Sequence, residues 1–279
     1  MKNLIRKAAV YSLQITVKSA VYKGDNMRIG IIGAIEEEVR LLMEEIEVLS
    51  EETIGMRTYY TGNLFGKQVI LVYSRCGKVA AASTVTTLIG HFGVDLVLFT
   101  GVAGGGNPER KIGDVVVGGK LLQHDMDSSG IPGALRFEIP LLKKIYFEAE
   151  PALLAKAEES AGYYIKNQML KEIDVSLLQE FDITVPAVVV GTIATGDQFI
   201  SDRNKINTLN SQIDDLQCVE MEGAAIAQVC YEYGVDFVVF RVISDNADEN
   251  AHYNIKRFLE KTASYLTQGI IKQFVRELE

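Results

Sequence analysis

At 279 residues, with five prolines and no Pro/Gly/Ser-rich linker, the chain has the size of one large α/β domain rather than a string of modules. Its net charge of −9 argues against a general nucleic-acid or anionic-membrane surface. Cys76, Cys218 and Cys230, like His91, His124 and His252, show no metal-ligand spacing, and the odd cysteine number speaks against a disulfide framework and for a reducing, cytoplasmic setting.

Residues 1–26 stand apart. They carry Lys2, Arg6, Lys7, Lys18 and Lys23 against Asp25, which makes this stretch +4 and the remainder −13. The basic start followed by Ala8-Ala-Val-Tyr-Ser-Leu has the outline of an export signal, but Gln14 and Lys18 interrupt the apolar run. No stretch is long and apolar enough to span a membrane. The expectation is a loose extension or upstream start over 1–26, with export left open, and one domain over 27–279.

Arg28 to Ala34 reads as a buried strand entering a helix at Glu36-Glu-Glu-Val-Arg-Leu-Leu-Met. The strand–Gly–helix order has the outline of a dinucleotide fold, but the G-x-G-x-x-G spacing is absent. Acids in a first helical turn are favoured by the helix dipole. That explains two of Glu36, Glu37 and Glu38, and leaves one free to turn back into a crevice. Thr58–Gly62 and Gln68–Ser74 read as a hairpin. Gly77-Lys-Val-Ala-Ala-Ala-Ser opens a helix of small residues, and Asp95–Thr100 is a buried strand ending in the glycine run Gly101-Val-Ala-Gly-Gly-Gly106. Glycines there allow backbone to approach a ligand closely.

Asp114 to Leu122 reads as a strand leading to His124-Asp125, which fits an inter-strand hydrogen-bonding pair better than a catalytic dyad, since no nucleophile motif accompanies it. Ala152 to Lys166 has helical periodicity, and 167–182 resembles an inserted excursion. Pro186–Ala194 is a strand followed by Thr195-Gly-Asp-Gln-Phe-Ile200. Val219-Glu-Met-Glu222 runs into a second helix of small residues. Phe237–Phe240 begins a strand buried on both faces that turns polar at Arg241, Ser244, Asp245 and Asp248. A long amphipathic helix, from about Asn254 to Leu278 and broken only by Gly269, closes the chain.

Strands alternating with helices, with some antiparallel pairing, imply an α/β class. Acids stand at three strand ends: Glu36–Glu38, Glu220/Glu222 and Asp245. In open α/β sheets that is where chemistry sits. Acids without metal ligands or a basic phosphate clamp suit proton transfer and the binding of sugar hydroxyls.

Five co-linear motifs then carry a resemblance over roughly residues 27–279. They are Gly30-Ile-Ile-Gly-Ala-Ile-Glu-Glu-Glu38, Thr100-Gly-Val-Ala-Gly104, Gly196-Asp-Gln-Phe199, Val219-Glu-Met-Glu-Gly223 and Arg241-Val-Ile-Ser-Asp-Asn-Ala-Asp248. Together the chain resembles the bacterial 5′-methylthioadenosine/S-adenosylhomocysteine nucleosidases of the purine nucleoside phosphorylase superfamily. The resemblance implies a single-domain three-layer α/β/α fold with a mixed, mostly parallel central sheet, a nucleoside substrate, no metal or other cofactor, and a homodimer.

By position, Glu38 matches the acid that activates the attacking water. Asp245, positioned by Ser244, matches the acid that protonates adenine N7. Glu222 matches the carboxylate on the ribose hydroxyls, with Met221 packed on the sugar. Phe199 matches the ring stacked on the purine, and the Ile200 backbone the reader of its edge. Val102, Ala103 and Gly104 match the base-pocket loop; Ser74 and Arg241 match neighbouring polar positions. Departures are Val102 where many members have serine, Arg75 and Cys76 near the sugar, and an unusual loop after Asp127 in the region that helps form the 5′-substituent pocket across the dimer. A phosphorolytic enzyme of the same fold, or a nucleoside-binding or surface protein that lost turnover, are the competing readings.

Overall fold

The structure, a computed structural model, describes residues 27–247 and 257–278. The expectations for residues 1–26, Asp248 and the start of the last helix near Asn254 lie outside the described residues.

Ten strands form one mixed sheet among the described residues. In chain order they are β1 (Arg28–Gly33), β2 (Glu47–Ile54), β3 (Arg57–Leu64), β4 (Lys67–Tyr73), β5 (Leu96–Gly105), β6 (Val115–Gln123), β7 (Phe147–Glu148), β8 (Val188–Thr195), β9 (Leu216–Glu220) and β10 (Asp236–Asp245). The apolar runs of β1, β5 and β10 are continuous because both faces of these strands are buried. Ile29 and Ile31 point into one core with Leu96, Leu98, Val238 and Phe240, whereas Ile32 joins Val97, Phe99, Phe237 and Val239 in the other. This is the two-residue period of a strand covered by helices on both sides.

The first core is closed by α1 (Glu36–Glu45), α3 (Pro151–Asn167) and the C-terminal helix, and the second by α2 (Lys78–Gly90) and α7 (Gly223–Tyr233). Two short helices, α4 (Met169–Glu172) and α5 (Val175–Glu180), account for the segment read as an excursion. They bury Met169, Ile173 and Leu178 in the first core, so this segment belongs to the packing. Helix α6 (Arg203–Asn210) follows β8. The C-terminal helix runs as a π-helical turn at Leu259–Ala263 and then α8 (Ser264–Glu277).

Two sequence expectations change, and one strand had not been expected. Gly269 does not break α8; a Cβ there would run into the Tyr164 ring, so glycine lets α8 lie against α3. Strand β5 continues through the glycine run to Gly105, its ladder held by β10 and β9. Strand β2, acidic and mostly exposed, went unread beside the hairpin that it extends.

The sheet also closes partly on itself. Strand β10 pairs with β5 and β6, β6 with β8, β8 with β9, and β9 with β5. The ends of β1, β5, β9 and β10, and the loops after β4 and β8, therefore converge on one mouth.

Candidate active site

A cavity of about 240 Å³ opens at that mouth. Of the residues singled out in the sequence, Glu38, Val102, Ala103, Gly104, Phe199, Ile200, Met221, Glu222, Ser244 and Asp245 line it. Ala34, Ile35, Cys76, Gln198, Val219, Glu220 and Leu259 complete the lining. Ser74 and Arg241 do not reach the cavity surface. Ser74 is buried, its hydroxyl turned to the Arg75 carbonyl at 2.8 Å.

Glu36 and Glu37 stay exposed in the first turn of α1, where the dipole favours them, while Glu38 turns inward and is 5 % exposed. Its carboxylate accepts from the backbone N–H groups of Ala34 at 2.6 Å, Ile35 at 3.2 Å and Val102 at 2.9 Å. Burial pushes the Glu38 carboxyl above its ordinary value; the Arg241 charge and those three N–H groups oppose the rise.

Glu220 and Glu222 divide the work at the start of α7. Glu220 accepts from the N–H groups of Glu222 at 3.0 Å and Gly223 at 2.8 Å, from the Thr195 hydroxyl, and from Arg241 Nη2 at 2.6 Å. It is the helix cap and the counter-ion in one. Glu222 accepts from Gly77 N–H at 2.7 Å. Burial and the adjacent Glu220 push its carboxyl up to about 8.

Arg241 is 1 % exposed and stacks its guanidinium over the Phe99 ring at 3.8 Å. It lies under the cavity floor as shared positive charge for Glu220, Glu38 and Glu222. The resemblance makes it a polar position neighbouring the ligand; its side chain is buried with the core and reaches the cavity through Glu220.

Asp245 ends β10 next to Gly104 of β5. Its Oδ2 accepts from the Ser244 hydroxyl at 2.7 Å and its Oδ1 from Ala247 N–H at 2.8 Å. Strand β5 lies between β1 and β10, and Glu38 is anchored at Val102 while Asp245 is anchored near Gly104. Those anchor points are two residues apart along one strand, or about 7 Å. Two carboxyl groups thus flank the same stretch of β5 from either side.

Phe199 is 46 % exposed at the mouth and Ile200 is buried behind it. His124 and Asp125 form no mutual hydrogen bond. Asp125 instead takes Lys78 Nζ at 2.6 Å and Asp197 N–H at 3.0 Å, and His124 packs against Gly196. Of the other lining residues, Glu220 is marked in the sequence only as one of the paired acids around Met221, and Leu259 carries no signal. Among the described residues no group of three or more His, Cys, Asp or Glu side chains could hold a metal ion, and no helix is long and apolar enough to cross a membrane.

The phosphorylase superfamily profile matches residues 28–276. The 5′-methylthioadenosine/S-adenosylhomocysteine nucleosidase of Anoxybacillus flavithermus is 36% identical over 252 residues, covering 90% of this chain and 99% of the relative. The Neisseria meningitidis enzyme of the same name, solved with methylthio-immucillin-A, superposes with a TM-score of 0.79 at 31% identity, over 90% of this chain and 99% of that one. Helicobacter pylori futalosine hydrolase superposes with a TM-score of 0.76 at 36% identity, over 90% of this chain and 98% of that one. With near-complete coverage on both sides, and a sheet whose strand ends gather the buried acids Glu38, Glu220, Glu222 and Asp245, the chain belongs to the 5′-methylthioadenosine/S-adenosylhomocysteine nucleosidase family of the phosphorylase superfamily.

Proposed function

We propose that this chain hydrolyses the N-glycosidic bond of 5′-methylthioadenosine, S-adenosylhomocysteine and related 5′-substituted adenosines, releasing adenine and the 5-substituted ribose. The observation that carries the reading is the joint presence of Glu38, Glu222 and Asp245 in one largely apolar cavity.

In this reading Glu38 takes a proton from water as its oxygen attacks the anomeric carbon. The carbon–nitrogen bond breaks with its electron pair going to the purine, and Asp245 delivers a proton to N7 of the departing base. Ser244 orients Asp245. Positive charge developing on the sugar is favoured by the surrounding carboxylates. Glu222 holds the ribose hydroxyls with Met221 against the ring, Phe199 stacks on adenine, and the Ile200 backbone reads its edge. Val102, Ala103 and Gly104 form the base-pocket wall. Arg241 acts from below through Glu220, and Ser74 supports the loop that ends at Gly77.

Phosphorolysis is the less favoured reading, because the lining offers an incoming oxyanion acidic side chains and no free cation among the described residues, Arg241 being already engaged by Glu220. A futalosine-type substrate is a second reading, favoured by the identity to the Helicobacter pylori hydrolase. A panel of 5′-substituted adenosines and futalosine-type nucleosides, assayed for base release with and without phosphate, separates these. Phosphate-independent release of adenine supports hydrolysis; strict phosphate dependence with ribose 1-phosphate as product overturns it.

The working unit in this proposal is a homodimer. Leu141 is 98 % exposed, with Ile131 and Leu135 also exposed on the same connection after Asp127, an unusual cost for a lone subunit. Sedimentation of the wild type and of Leu141→Asp tests it. Three free thiols suit a cytoplasmic setting.

A further inference from the structure

Two walls of the cavity are joined behind it by a circuit of polar contacts. One wall ends in Cys76, and the N–H of the next residue, Gly77, holds Glu222. The next N–H, that of Lys78, donates to Asp197 Oδ1 at 2.8 Å. Asp197 opens the loop that carries Gln198, Phe199 and Ile200, which is another wall. Its own N–H donates to Asp125 Oδ2 at 3.0 Å, and Asp125 Oδ1 meets Lys78 Nζ at 2.6 Å. The approach is close: Gly77 has φ 94°, and a Cβ there would lie 3.1 Å from Asp197 Oδ1. Asp197 and Gln198 are exposed and Phe199 is half exposed, so few buried side chains fasten this loop.

We propose that Asp197, held by Lys78 and Asp125, is a positioning residue that fixes the distance between the base-stacking loop and the ribose carboxylate, so that one nucleoside engages both. This deepens the nucleosidase reading and rests on it. Without the tether, the loop must be ordered each time a base binds, which weakens binding. The groups assigned to proton transfer, Glu38 and Asp245, sit on α1 and β10, away from this circuit. The loss is therefore expected in affinity and KM rather than in kcat.

The test uses the full-length protein and the variants Asp197→Ala and Asp197→Asn. Adenine affinity is read by titration calorimetry, methylthioadenosine turnover by steady-state kinetics, and thermal unfolding alongside. Asp197→Ala should weaken adenine binding and raise KM by about tenfold, the scale of a lost hydrogen bond to a charged group, with kcat within about threefold. Asp197→Asn keeps an oxygen for Lys78 N–H and should return both values to within about threefold of wild type. Unchanged adenine affinity in Asp197→Ala, including a variant that loses thermal stability alone as a simple helix cap would, overturns the proposal. So does an Asp197→Asn protein as weak as the alanine variant. Adenine binding is read without turnover. A wild type that binds adenine but releases none from methylthioadenosine therefore defeats only the hydrolase reading, while the affinities still decide the role of Asp197.

Discussion

A Cβ built on Gly101 would lie 2.7 Å from Cδ of Glu38, inside the contact distance of any real methyl group. The carboxylate is thus seated directly on strand backbone, with Val102 N–H completing the seat. Gly101→Ala displaces Glu38 while leaving the stacking loop at Gln198–Ile200 alone. A displacement near 1 Å at a reacting group costs on the order of 10²-fold in rate. Steady-state assays should show kcat lowered by that order with adenine affinity near wild type; a near-normal kcat would mean that Glu38 is not the group activating water.

Asp245→Asn keeps the shape of the side chain and removes its transferable proton. The loss of kcat should be roughly 10²- to 10⁴-fold, the range of general acid catalysis. Binding of a non-hydrolysable methylthioadenosine analogue should change far less. An asparagine enzyme with near-normal turnover would assign the N7 proton to another donor.

Glu222 makes the protein pH-sensitive in a defined direction. Its carboxyl is raised from an ordinary 4.5 to about 8, so between those values the folded protein holds a proton that the unfolded chain has released. The stabilisation is fully present below 4.5 and is lost as pH rises through about 8. Its scale is about 1.4 kcal/mol per pKa unit. Urea unfolding midpoints of the unliganded protein should therefore fall across this interval, and Glu222→Gln should flatten the fall. Glu38 is raised in the same direction and leaves a residual slope in the variant.

Removing the buried cation should be costly. Arg241→Met leaves Glu220 buried without its counter-ion, a change that typically destabilises by about 3–5 kcal/mol. Denaturant unfolding of Arg241→Met against the double variant Arg241→Met/Glu220→Gln checks this. The second substitution should recover a large part of the loss, because it removes the stranded charge and keeps an oxygen for the Gly223 N–H.

The fold was legible wherever burial imposed a pattern. The β1, β5 and β10 runs announced a sheet covered on both faces, and the small residues of α2 and α7 announced close helix packing. Strand β2 was not legible, because Glu47-Val-Leu-Ser-Glu-Glu-Thr-Ile54 is exposed almost throughout and its pairing to β3 is backbone bonding that leaves no mark on side-chain choice. In the site, Glu38 could be suspected because a helix dipole needs only two of three acids. Spacing alone did not separate Glu220 from Glu222, which both flank Met221 and both line the cavity. The resemblance singled out Glu222, and the path of the chain into α7 gives Glu220 to Arg241 and the helix start and Glu222 to the Gly77 N–H. Arg241 could be named only as a neighbouring polar position, because its counter-ion Glu220 comes from another strand, β9, and no local spacing marks the pair.

The closed circuit of β5, β10, β6, β8 and β9 has a consequence for how the nucleoside enters and leaves. These strands have no free edge within the circuit, so none can slide or peel away without breaking hydrogen bonds on two sides. Val102–Gly104, Glu220 and Asp245 therefore form a floor of constant shape. Admission of a ligand falls to parts outside the circuit: the loop at Gln198–Ile200, the turn at Cys76 and the π-helical turn at Leu259. Turnover limited by product release would accordingly respond to substitutions in those three segments, and stay indifferent to changes in the strands beneath.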